Sequence, residues 1–272
     1  MERVDAVADG APALDTVATG FPSIDRMLGG GVRRGDLVVV GGDVGSGKSS
    51  LLLGMALRMA ADGNTVAVYS GEMSVERLLE RSLAIEGRVE VNALRDGSLD
   101  DLERAAVGAV AVRMRERSPR FATIPRGGVA ALREELVRLE QPPTVVVVDG
   151  LAALAADGRA VSDALAVAVT ELKQLALDLG VGLVLASPVP ELGADRQDRR
   201  PVLDDFGARG AVKHTADIVL ALYREGMYDP GLGIEGATEL LVRKNRNGAT
   251  GYVDLYFFQK WMRFEDLLDP DR

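Results

Sequence analysis

The octet Gly42-Asp43-Val44-Gly45-Ser46-Gly47-Lys48-Ser49 constrains this chain more than any other stretch. It matches G-x-x-x-x-G-K-[ST] in full, and its flanks are those the pattern needs. Leu37-Val38-Val39-Val40, just before it, is an uninterrupted apolar run that suits a parallel strand buried on both faces. After it, the spacing of Leu51, Leu52, Met55, Leu57, Met59 and Ala60 predicts a largely buried helix closed by Gly63. In such a strand–loop–helix unit the glycines let the backbone wrap closely around a phosphate chain. The loop N–H groups and the helix N-terminus supply positive potential. Phosphate contacts are therefore expected from Gly42, Gly45, Ser46, Gly47, Lys48, Ser49 and Ser50, with Lys48 reaching the terminal phosphates and the Ser49 hydroxyl on Mg²⁺. A glycine-rich turn that binds nothing is the alternative, and the flanking elements weigh against it.

Beyond this unit, strand and helix patterns alternate. Thr65 to Ser70, Phe121 to Ile124, Val145 to Val148, Val181 to Ala186 and Ile218 to Leu222 read as strands. Val75 to Ile85 (with Ser74 as N-cap), Leu99 to Arg117, Gly128 to Leu139 and Ala160 to Leu179 read as helices. The alternation predicts an α/β fold with a doubly wound, mainly parallel sheet. After Tyr223 the helical patterns stop. Thr238 to Arg243 and Tyr252 to Phe257 bracket Asn247-Gly248 and predict a C-terminal antiparallel extension. Residues 1–16, rich in Ala and Asp, read as a flexible arm, and 17–272 as one ATPase domain.

A carboxylate that orients the magnesium shell belongs at the carboxyl end of a buried strand beside the loop. Asp149 fits, following Val145-Val146-Val147-Val148, and would reach the metal through water; on its own it could equally be an ordinary strand-ending Asp. A base or water-positioning group is also needed. Glu72 is the candidate, because Ser70-Gly71-Glu72-Met73 follows the strand expected to neighbour the loop strand; on its own it reads more readily as a solvated loop residue or part of the next helix cap.

Composition narrows the remaining options. With no cysteine and a single histidine, His214, disulfides, thiolate zinc sites and histidine metal clusters are excluded. No apolar run approaches the roughly 18 residues of a membrane span, and the N-terminus lacks a secretion pattern, so no membrane partner and a cytoplasmic address are expected. A net charge of −9 argues against a broad basic face for duplex DNA. It leaves open a ring whose positive charge is confined to loops lining a channel.

The loop around Lys48 keeps company with further segments. They are Thr19-Gly20-Phe21 with Ile24-Asp25, Ser70-Gly71-Glu72-Met73-Ser74, Asp149, Arg200-Pro201-Val202-Leu203 and Ala216-Asp217-Ile218-Val219. Lys244-Asn245-Arg246-Asn247-Gly248 and the stretch from Thr250-Gly251-Tyr252 to Arg263-Phe264-Glu265 complete the set. In order and spacing they resemble the motor domain of DnaB-type replicative helicases, over nearly everything after Val17. The resemblance implies a RecA-like P-loop NTPase core, ATP and Mg²⁺ as cofactors, self-assembly into a ring, a hexamer, and helicase action on single-stranded DNA. It puts Glu72 at the family's catalytic glutamate, and Lys244 and Arg246 at a basic pair inserted in trans into a neighbour's ATP site. It also puts Asp204 to Gly210 where the family grips the strand, with Arg209 and Gly210 as the contacts here.

Departures accompany the likeness. The family's Gln at the end of the Val181 strand is replaced by Ser187-Pro188, and its Arg-Glu pair in the strand-gripping loop by Gly207-Ala208. Only a short arm precedes Val17, where these helicases carry an N-terminal domain, so loader and primase contacts are not expected. Gly41-Gly42-Asp43 with Lys244-Asn245-Arg246 is also similar to RadA, without its cysteine zinc module. Two other readings stay open: a stand-alone RecA-like ATPase scaffold or regulator, and a RadA-like recombination ATPase.

Overall fold

Strands made of consecutive β-branched residues must be covered on both faces, and that requirement organises the molecule. In a computed structural model, residues 15–155, 160–189, 196–229, 231 and 233–267 are described. A nine-stranded sheet forms the centre, in the order β11-β10-β9-β8-β3-β7-β6-β4-β5. Its parallel part consists of β3 (Leu37–Gly42), β4 (Val66–Ser70), β5 (Arg120–Thr123), β6 (Val145–Asp149), β7 (Gly182–Pro188) and β8 (Ile218–Tyr223). Strands β9 (Ala237–Asn245), β10 (Gly251–Phe258) and β11 (Arg263–Asp266) continue it antiparallel. A two-residue pair, β1 (Thr16–Val17) with β2 (Val32–Arg33), stands apart.

Every residue of β3, β6 and β8 is buried. Alternate residues feed two cores. Val38 and Val40 pack on one face with Leu51, Leu52, Met55 and Met59. Leu37 and Val39 pack on the other with Leu172, Leu175 and Ala176. The first group of partners comes from α2 (Lys48–Ala61) and the second from α7 (Val161–Leu179). The other helices are α1 (Pro22–Leu28), α3 (Val75–Gly87), α4 (Val91–Asp96), α5 (Asp101–Glu116), α6 (Gly128–Val137) and α8 (Ala211–Thr215). Ser74 caps α3 as expected, accepting a bond from Arg77 N.

The structure differs from the sequence reading at several points. The helix expected from Leu99 begins at Asp101, because Asp100 and Glu103 close a capping box. Helices α1 and α4 and the edge strand β11 were not anticipated. Thr16, placed in the arm, pairs with Arg33; the remainder of the arm, through residue 14, lies outside the described residues. The most consequential correction concerns strand order: β4 does not neighbour the loop strand β3, nor does β6. Strand β7 lies between β3 and β6, and β4 is one strand further out.

Asp217, at the entry to β8, is buried and serves three donors: Leu37 N at 2.8 Å, Lys173 Nζ at 2.6 Å and Arg246 Nη1 at 3.1 Å. Its removal leaves the Lys173 ammonium, itself only 16% exposed, without its carboxylate. Breaking such a pair costs about 3–5 kcal/mol. Asp217→Ala is therefore expected to lower the thermal midpoint by roughly 10 °C in calorimetry. A shift of a degree or two would show that Lys173 finds water instead.

Candidate nucleotide site

Register along the parallel strands brings the candidate residues to one edge of the sheet. Ser70 pairs with Asp149, Asp149 with Ala186, and Ala186 with Val40, so one row crosses the sheet from β4 to β3. Asp149 is part of that row, and Glu72 and the Gly42–Ser49 loop stand just past it, all at the carboxyl ends. The expected neighbourhood is therefore reached through an intervening strand.

The loop is shaped by its glycines. Gly45 and Gly47 have φ of 79° and 102°, values that L side chains rarely adopt. A Cβ on Gly47 would also stand 2.8 Å from the Phe264 ring. Lys48, the first residue of α2, folds back so that Nζ donates to Gly42 O and Asp43 O, both at 2.9 Å. Burial holds its ammonium below the usual lysine range, against the pull of Asp149, Glu72 and Asp43. Ser46 Oγ is buried in the loop without a hydrogen-bond partner, a cost that a phosphate oxygen would relieve.

Ser49 Oγ donates to Asp149 Oδ1 at 3.1 Å, joining the two residues assigned to magnesium across one hundred positions of sequence. Burial raises the Asp149 carboxyl above its ordinary range; the Ser49 bond and the cations Arg81 and Lys48 oppose this, and the Glu72 charge adds to it. Glu72 sits beside Gly150, its Cγ 3.9 Å from where a Cβ on that glycine would stand. Among the described residues no cluster of three or more His, Asp or Glu side chains offers a metal site made by protein alone. A hydroxyl, one carboxylate through water and phosphate oxygens suit the sparse protein coordination of Mg²⁺.

A cleft of about 820 Å³, lined by residues including Thr65, Arg117, Arg120 and Arg138, lies at the amino ends of β4 and β5. That is the opposite end of the sheet, and the cleft shares no residue with the loop. Donor geometry, not cavity size, marks the candidate phosphate site.

A family model described as the DnaB-like helicase C-terminal domain matches residues 16–266. This chain belongs to that family. Its relatives include the replicative DNA helicase DnaB of Geobacillus stearothermophilus, 30% identical over 250 residues covering 90% of this chain and 55% of that protein. The replicative DNA helicase DnaC of Bacillus subtilis is 29% identical over the same shares. The chain thus spans about half the length of the curated relatives it matches. Among solved structures, an isolated ATPase domain aligns with a TM-score of 0.87 at 22% identity, covering 97% of this chain and 95% of that one. A DnaB-like replicative helicase studied with primase aligns equally well, over 98% of this chain and 66% of that one. These two likenesses show the fold.

The remaining candidates of this DnaB-family domain lie elsewhere. Ile218 pairs with both Val38 and Asn245, so Lys244 and Arg246 stand at the amino end of β3. Five residue steps separate that end from the loop, about 16 Å along the strand. The pair does not come together with Lys48 in its own chain. Lys244 Nζ donates to Lys213 O at 2.8 Å and His214 O at 3.3 Å; burial lowers its pKa, with Arg246 adding to the effect. Arg246 bonds Asp217 and, at 2.9 Å, His214 O. Both cations are thus anchored at the carbonyl end of α8.

Arg209 and Gly210 sit just before α8 in a run where Gly207, Ala208, Arg209 and Gly210 have φ of 62°, 48°, 50° and 78°. For Ala208 and Arg209 that conformation is strained. The Arg209 guanidinium is exposed and ion-paired with Asp163. Ser187 and Pro188 end β7, with Pro188 in register with Gly42.

Two neighbours of the site escaped the sequence reading. Arg81, one turn after the buried Leu78 on α3, lies close enough to Asp149 for its charge to oppose the upward shift there. Ser74 as N-cap fixes the helix phase, and that phase was the available signal. Arg224, just past β8, reaches Gly45 O at 3.3 Å and lies over the Phe257 ring at 4.6 Å, with a buried Nε that has no partner. No local pattern announces it.

Proposed function

We propose that this domain is the ATP- and Mg²⁺-dependent motor of a DnaB-type helicase, acting on single-stranded DNA as a ring, a hexamer by family likeness. The observation that carries the reading is the Ser49–Asp149 contact at 3.1 Å beneath the glycine loop, with Glu72 beside it, in a DnaB-family domain.

In this reading Gly42, Gly45, Ser46, Gly47, Lys48, Ser49 and Ser50 hold the phosphates, and Lys48 exchanges its two carbonyl partners for phosphate oxygens. Ser49 and, through water, Asp149 would hold the magnesium, whose chemistry there would be to neutralise charge on the phosphates. Glu72 orients and deprotonates the attacking water, and Arg81 restrains the two neighbouring carboxylates. Lys244 and Arg246 stand too far from their own loop to stabilise charge there. Delivered across a head-to-tail interface, they would reach the loop of the next subunit. Arg209 and Gly210 would face the strand.

The test is ATP turnover with and without single-stranded DNA at low salt, in wild type and in Lys48→Ala. Wild-type turnover is expected to rise several-fold with the oligonucleotide and to vanish in the variant. Turnover indifferent to single-stranded DNA would remove the motor role. It would favour a second reading, an ATPase scaffold without a nucleic-acid grip, which the Gly207-Ala208 pair and the Arg209–Asp163 contact support.

A further inference from the structure

A loop built to surround a polyphosphate does poorly with a carboxylate of its own, yet Asp43 stands second in this one. Like charges held close in a partly desolvated site repel strongly. The position of the Asp43 side chain therefore decides whether it competes with phosphate for Lys48.

Both oxygens of that side chain are already engaged. Oδ1 accepts from Val44 N at 2.7 Å, and Oδ2 accepts from the Tyr228 hydroxyl at 2.9 Å. Lys48 takes the backbone oxygens of Gly42 and Asp43 instead of the carboxylate. Tyr228 ends the short 3-10 turn Glu225–Met227 that follows β8, and its ring is fixed in turn. It stacks on Tyr223 with centroids 5.6 Å apart and planes at 17°, and the Arg199 guanidinium lies 5.0 Å from its centre. Burial, with the Asp43 charge adding, pushes its phenol up to about 12, so the hydroxyl remains a donor across the working pH range.

We propose that Tyr228 is a positioning residue of the nucleotide loop, whose phenol O–H draws the Asp43 carboxylate away from the Lys48 ammonium and keeps a competing anion out of the phosphate cradle. Without that bond one carboxylate oxygen loses its partner. The Lys48 ammonium already feels the Asp43 charge, and the released oxygen is then free to turn toward it. Asp43 then becomes an internal competitor for the phosphates. The inference rests on the loop binding a magnesium nucleotide, and its test separates the two ideas.

The experiment is calorimetric or fluorescence titration of Mg²⁺ with a non-hydrolysable ATP analogue, on wild type, Tyr228→Phe, Asp43→Asn and the double variant, each checked for an unchanged melting profile. Phenylalanine keeps the ring stack and removes only the donor. Tyr228→Phe is expected to bind the analogue about tenfold more weakly, the equivalent of about 1.4 kcal/mol at 25 °C. In turnover assays the loss should appear in KM with kcat little changed. The decisive arm is the double variant: with Asp43 neutral, removing the hydroxyl is expected to cost less than about twofold relative to Asp43→Asn alone. A tenfold loss that persists in the Asp43→Asn background would show that the phenol acts by packing, and would overturn the proposal. Equal affinity of Tyr228→Phe and wild type would overturn it too, while leaving nucleotide binding intact. Failure of wild type itself to bind would strike the proposed function first.

Discussion

Glu72→Gln is expected to bind magnesium nucleotide as wild type does while turning it over about 10²–10⁴-fold more slowly, the range for loss of a general base. The glutamine keeps the size and the hydrogen-bonding reach of the side chain and removes its capacity to take a proton. Binding is expected to survive because Glu72 stands on the β4 side of the site, beyond β6, whereas the loop follows β3. Relief of charge works in the same direction: the Glu72 charge adds to the upward shift at Asp149, so its loss favours the ionised Asp149 that magnesium needs. The check is paired titration and single-turnover hydrolysis. A variant that hydrolyses at the wild-type rate would return Glu72 to an ordinary loop residue and leave the water without a base. The contrasting variant is Lys48→Ala, expected to lose binding and turnover together, since Lys48 belongs to the cradle itself.

Much of this site was legible in the sequence because its key parts are local. An octet with fixed spacing, an apolar run before it and a buried helix after it are contiguous, and β3 and α2 formed where those patterns put them. Asp149 was legible for the same reason, since four β-branched residues lead straight into it. Strand order was not. The insertion of β7 between β3 and β6 depends on crossovers spanning tens of residues, and no periodicity within either strand records it.

Strand β11 has no apolar run to mark it: it contains Arg263, Glu265 and Asp266, and Glu265 and Asp266 are nonetheless buried. Burial alone would raise the Glu265 carboxyl, but Arg263 and Arg58 outweigh it and hold the group below its usual range. Ser23 supplies Asp266 with two bonds, from N at 2.6 Å and Oγ at 2.7 Å. Arg58 and Ser23 lie more than 200 residues away in sequence, so the strand becomes recognisable only once the fold exists. Tyr228 and Arg224 belong to the same class: each touches the loop from about 180 residues away.

The strongest consequence of the geometry concerns mixing two inactive proteins. Arg246→Ala is expected to lose about 10³–10⁵-fold in turnover, the worth of a cation supplied in trans to a transferring phosphoryl group, while retaining nucleotide affinity. Glu72→Gln is inactive for a different reason, at the other end of the sheet. In a closed head-to-tail ring each junction takes its loop from one copy and its basic pair from the next. Where the loop comes from an Arg246→Ala copy and the basic pair from a Glu72→Gln copy, the junction is complete. With random assembly at equal proportions, about one junction in four is of this kind, so the mixture is expected to recover up to about a quarter of wild-type turnover if junctions act independently. Arg246 also bonds Asp217 at 3.1 Å and the His214 carbonyl, so its loss carries a stability cost that the melting profile of the single variant must bound. That cost cannot imitate recovery on mixing, because a folding defect in one copy is not repaired by a glutamine in another. No recovery from well-folded partners that demonstrably co-assemble would place Lys244 and Arg246 outside the chemistry, as anchors of α8 alone.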